Sequence, residues 1–155
     1  MKPMAPLQDW LVEHDPLRVV PLTDPIIDRR GRPVSDAYVE TYWLPILGPS
    51  ALWALRRIGG WLIDCPDGFA MPHGPLASEL GLGHRRGRHS PMIRTLARLV
   101  MFEMAALTPN DELAVRRFVP PLPRRLAVRL PGHLATRHEV EVMAASAKDH
   151  ADACN

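Results

Sequence analysis

The residues in this chain best suited to chemistry are arginines, and they are unevenly placed. Between His84 and Arg137 stand eleven of them: Arg85, Arg86, Arg88, Arg94, Arg98, Arg116, Arg117, Arg124, Arg125, Arg129 and Arg137. Only Glu103, Asp111 and Glu112 oppose them there, a local excess of eight positive charges. The rest of the 155 residues hold eight basic side chains against fourteen acidic ones, so the whole carries only +2. A guanidinium presents N–H donors in a rigid planar fork that fits a phosphate or the O6/N7 edge of guanine. Such one-sided charge predicts a surface for a polyanion. Arginine outnumbers lysine seventeen to two. A GC-rich genome explains that choice, but not the clustering.

Other chemistries find less to work with. Cys65, His73, His84 and His89 are the soft ligands available, and none forms the tight ligand pairs of a structural zinc site. No nucleophile elbow, phosphate-binding glycine loop or paired-carboxylate pattern occurs. The expectation is therefore a protein that is not an enzyme and needs no cofactor or metal. His84 and His89 read as pH-dependent helpers of the arginines. Two cysteines without metal-like spacing fit a reduced cytoplasm. No signal peptide is visible, and no apolar run reaches membrane-spanning length.

The elements that must carry these arginines can be read from punctuation and period. Residues 1–34 hold six prolines and read as a loosely structured arm. Within it, Val19-Val20 and Ile26-Ile27 are expected to lie across the domain or a partner subunit. Ser35 caps a helix to about Leu44, which Pro45 and Gly48 break. A second helix from Ser50 to about Ile63 places Leu52, Leu55, Ile58 and Leu62 at helical spacing. Trp43, Trp53 and Trp61 read as core or subunit interface. Phe69-Ala70-Met71 predicts a short strand. Gly74-Pro75 opens a short helix, and Gly81 closes it. A glycine-arginine loop holding Arg85, Arg86, Arg88 and His89 follows. Ser90 as N-cap with Pro91 behind it then starts a helix to about Met101. On this helix Ile93, Leu96, Ala97 and Val100 form one face, and Arg94, Thr95 and Arg98 the opposite one. Alternation over 102–107 and 112–119 predicts an antiparallel hairpin with its turn at 108–111. A short helix from Arg124 to Leu130 and a last one to about Lys148 complete the chain.

The predicted fold class is mainly α with a small β-hairpin, arranged as a winged helix-turn-helix. The domain spans 35–119, a C-terminal helical extension covers 120–150, and 151–155 is a frayed tail. The stretch Tyr42-Trp43-Leu44-Pro45-Ile46-Leu47-Gly48-Pro49-Ser50, the segment His84 to Leu99 and the segment Val119 to Arg125 resemble a group of actinobacterial winged-helix proteins over residues 35–138. The LPILGP stretch is also similar to the entry of the winged-helix domain in DnaD-type replication proteins. The resemblance implies a winged-helix fold and DNA binding.

The residue reading agrees. Arg94, Thr95 and Arg98 are placed to read bases in the major groove. Arg85, Arg86, Arg88, His89 and Ser90 are placed to hold phosphate, or the three loop arginines to reach a minor groove, with Arg116, Arg117, Arg124 and Arg125 extending the basic surface. The expected partner is double-stranded DNA, bound by a cytoplasmic, nucleoid-associated homodimer that is a transcriptional regulator or an architectural factor. The alternative is a winged-helix module that binds proteins without touching DNA.

Overall fold

Ser90 and Pro91 begin the helix that carries Arg94 and Arg98. The computed structural model describes residues 4–83 and 85–154. The Ser90 side chain accepts the Ile93 N–H at 3.2 Å, and Pro91 fills the first helical position. The N–H that proline lacks would have no partner there in any case. This helix, α6 (Pro91–Met101), buries Met92, Ile93, Leu96, Ala97 and Leu99. It packs against α1 (Met4–Glu13) and against α4 (Pro49–Asp64). On α4 the spacing of Leu52, Leu55, Ile58 and Leu62 puts all four in the core as expected.

In chain order the elements between α1 and α4 are β1 (Leu17–Pro21), α2 (Pro25–Arg30), β2 (Arg32–Pro33), a π-helical turn (Val39–Trp43) and α3 (Leu44–Leu47). After α4 come β3 (Phe69–Met71), α5 (His73–Glu79), α6, β4 (Ala105–Leu107), β5 (Leu113–Val115), β6 (Phe118–Val119), α7 (Arg124–Ala127) and α8 (Gly132–Ala153). The molecule is thus mainly helical with a small set of mixed strands.

The sheet is larger than a hairpin. β4 and β5 do pair antiparallel, Ala105 opposite Val115 and Leu107 opposite Leu113. But β1 runs parallel to β5, with Val19 opposite Leu113, and antiparallel to β3, with Leu17 opposite Met71. The four-strand order is β3-β1-β5-β4, and β2 with β6 forms a separate pair. Apart from residues 1–3, which lie outside the described residues, the N-terminal segment is therefore no loose arm. Leu7, Leu11, Leu17 and Val19 belong to the core. Its prolines sit where proline costs little: Pro6 in the first turn of α1, Pro21 at the end of β1, Pro25 at the first position of α2. Asp24 caps that last helix through the Ile26 and Ile27 N–H groups.

Other boundaries move for local reasons. Asp36, not Ser35, accepts the Tyr38 N–H at 2.8 Å. Pro45 does not stop the helix. The π-helical turn ends just before it, and the helical path continues to Gly48, whose φ of +83° breaks it. Phe102 ends α6 instead of entering a strand, because Glu103 adopts a φ of +61°. The final helix reaches Ala153, beyond the expected end near Lys148 and into the stretch read as a frayed tail. Trp43 is buried and Trp61 half-buried, but Trp53 is 53% exposed.

Candidate nucleic-acid interface

Packing on two sides leaves α6 a narrow outward stripe. Arg94, Arg98 and Met101, at i, i+4 and i+7, are its exposed residues, with Pro91 partly so. Thr95, expected beside them, is only 6% exposed. It lies one helical step away from Arg94, on the side that carries Met92 and Leu99. Arg94 is exposed and has no hydrogen bond or ion pair among the described residues.

Arg98 does different work. Its Nε–H donates to the Leu47 carbonyl at 2.5 Å and its Nη2–H to the Ile46 carbonyl at 2.8 Å. The guanidinium stacks over Phe102 at 5.0 Å. These carbonyls end α3, where a helix has acceptors without internal donors. Arg98 thus ties the α3–α4 corner to α6, and most of its fork is turned away from any base edge.

The loop before α6 is built on glycines. Gly83 and Gly87 have φ of +74° and +95°, a region open to glycine at no steric cost. Arg85 and Arg86 are exposed on it, with no partner among the described residues. Arg88 is half-buried beside Asp9 of α1 at 3.6 Å, and its Nε is buried without a hydrogen bond. His89 is exposed, and His84 lies outside the described residues. Ser90 is buried, and its hydroxyl oxygen serves the cap.

Arg116 and Arg117 were expected on a returning strand, but β5 ends at Val115. Arg116 donates from Nε to the Glu103 carbonyl at 2.7 Å, so it braces the turn after α6. Arg117 is half-buried with its Nε enclosed. Of ten residues singled out by sequence, four remain outward and unengaged around the start of α6: Arg85, Arg86, His89 and Arg94.

Sequence reasoning missed α1 as a flank of this region. Gln8 and Asp9 come from a segment whose prolines read as a loosely structured arm, and the i, i+4 spacing of Leu7 and Leu11 was the available signal. On the other flank of α6, Asp15 accepts the His73 backbone N–H at 3.0 Å, and the His73 Nε2 lies 2.7 Å from the His14 carbonyl. Among the described residues no group of three or more histidine, cysteine or carboxylate side chains could hold a metal. None of their helices is long and apolar enough to cross a membrane. No protein-family model, curated protein or solved structure matches the chain.

Proposed function

We propose that the protein binds double-stranded DNA as a winged-helix protein, mainly through the phosphate backbone. The observation that carries this reading is the group Arg85, Arg86 and Arg94. All three are exposed, lack carboxylate partners among the described residues and flank the N-terminal end of one helix. The order α4, β3, α5, α6 and the β4–β5 hairpin supports the winged-helix part.

The narrow stripe on α6 argues for contact to phosphates over reading of bases. Arg94 is the one unengaged arginine there, with α1 packed alongside. Phosphate contacts give affinity and little sequence information. The role that follows is architectural, nucleoid-associated binding in the cytoplasm, with a weak preference for particular sites.

A mobility shift or anisotropy titration across a salt series tests this. Three phosphate contacts give a slope of log K against log salt of roughly −3. Affinity independent of salt, or no affinity, rejects the reading. It would favour a protein-binding module instead, which the 53% exposed Trp53 and 56% exposed Ile63 on α4 support. Sedimentation of the DNA-bound form tests the further proposal of a homodimer, whose two copies would present two half-sites.

A further inference from the structure

A second feature lies beside Arg94, where the N-terminus of α4 opens into a concavity of about 480 Å³. It is lined by Gln8 of α1, Gly48 and Ser50 at the α4 entry, and Arg94, Thr95 and Arg98 of α6. No carboxylate lines it.

The start of α4 has no side-chain cap. Pro49 occupies the first position and has no N–H to leave unpaired. The first backbone bond of the helix is Leu52 N–H to the Gly48 carbonyl at 3.1 Å. The N–H groups of Ser50 and Ala51 therefore have no acceptor among the described residues, and the positive end of a 16-residue helix adds to their pull on an anion.

A helix terminus alone does not make a site. Here two largely buried polar residues line the same concavity and have no partner among the described residues. Gln8 is 9% exposed and Thr95 6%, and neither makes a hydrogen bond among the described residues. A mid-helix threonine commonly returns its hydroxyl to the carbonyl four residues back. Thr95 does not, so its hydroxyl is free for a guest. The polar ends of both open on the concavity, since neither is among the enclosed unpaired atoms of the fold. Arg98 has satisfied the α3 carbonyls beside the cavity, removing the acceptors that would repel an anion.

We propose that this concavity is a binding site for a phosphoryl or similar oxyanion. The Ser50 and Ala51 N–H groups, Thr95 and Gln8 donate hydrogen bonds, and Arg94 supplies charge. The site is roomier than a bare phosphate, so the group arrives with a larger body attached. That body is a DNA strand or a small phosphorylated molecule. The proposal shares Arg94 with the DNA reading but needs neither Arg85 nor Arg86.

The test is an amide NMR titration of the full chain with inorganic phosphate, using chloride at matched ionic strength as control. The expected result is saturable shifts of the Ser50 and Ala51 amides. Arg94→Gln should weaken them about tenfold, the effect of losing one charge-assisted contact. Gln8→Leu and Thr95→Val should each weaken them as well. Arg85→Ala/Arg86→Ala should leave them unchanged, though it impairs binding to a duplex. Because each variant's spectrum reports its own folding, a misfolded variant is recognised and the remaining two decide. Shifts that do not saturate, that chloride reproduces, or that persist unaltered in the folded variants overturn the proposal. A short duplex that moves the same amides identifies backbone phosphate as the source. Phosphate acting where the duplex does not identifies a small free oxyanion. Either result upholds the site.

Discussion

Two arginines one helical turn apart on α6 have opposite fates. Arg94 reaches solvent without a partner, whereas Arg98 donates to the Leu47 and Ile46 carbonyls. Their spacing makes them equivalent to any reading of the helix alone, because the acceptors come from a corner about fifty residues earlier. Substitution separates them. Arg98→Ala should cost stability, about 1.5 kcal/mol, the lower end of the range for charged hydrogen bonds because the side chain keeps some solvent. Arg98→Lys should recover little of it, since an ammonium cannot span two carbonyls with the same fork. Arg94→Ala should leave stability within about 0.5 kcal/mol and weaken DNA binding instead. Denaturant unfolding beside anisotropy measures both. A loss of binding for Arg98→Ala at unchanged stability would return that residue to the contact surface.

At the level of elements, a cap or a glycine that acts on its own turn is legible, whereas a strand made by distant partners is not. The start of α6 was legible because Ser90 and Pro91 act on their own turn, and Gly81 closes α5 with the left-handed φ of +70° that its type suggests. β1 was not legible, because its five residues are made a strand by Leu113–Val115 and Phe69–Met71, far along the chain. The proline count there misled, since Pro6, Pro21 and Pro25 occupy positions that tolerate them. A sharp test of β1 lies at Gly68, whose φ is +86° and where an added Cβ would strike the Val19 carbonyl and the Val20 side chain. Gly68→Ala should therefore destabilise the fold by more than about 1 kcal/mol, measured by thermal or chemical unfolding. A neutral result would mean that β3 is not held against β1.

The C-terminal helix offers a second test at this scale. Tyr38 lies 2.7 Å from His138 Nε2 and accepts the Leu122 N–H, and Tyr42 donates to Glu141 at 2.9 Å. Burial, then the bond to the Glu141 carboxylate, pushes the Tyr42 hydroxyl up to about 12, and burial also raises that of Tyr38. The folded state therefore holds these protons above pH 10, where the unfolded chain has released its own. Stability from the pair is complete below pH 10 and is lost as pH climbs towards 12. The chain has only two tyrosines, so tyrosinate absorbance reports on this contact alone. Its midpoint should lie above 10 and coincide with loss of helical circular dichroism. A midpoint at 10 with the helix intact would show that α8 is not docked through them.

Across the whole molecule, arginine is abundant but much of its charge is matched internally. Pairs such as Arg18–Glu112, Arg56–Glu40, Arg57–Glu79 and Arg88–Asp9 hold basic side chains against acids within the fold. With a net charge of +2, the protein exerts little attraction on DNA beyond a Debye length of about 8 Å at physiological salt. Binding should then depend on where a charge sits, not on how many there are. Two double variants that remove the same two charges can decide this. Arg85→Ala/Arg86→Ala empties the loop at the start of α6. Arg124→Ala/Arg129→Ala removes two exposed charges, also without partners among the described residues, from α7 and the turn after it. That region lies near the other end of α6, where Arg125 comes within 3.9 Å of Glu103. The eleven residues of α6 put roughly 16 Å between its ends, twice the screening length. The loop variant should flatten the salt slope by about two units, one per lost phosphate contact, and weaken all sequences alike. The α7 variant should bind as the parent does, with the same slope. Equal losses in both would mean that DNA responds to total charge, and the contact surface around Arg85, Arg86 and Arg94 would lose its support.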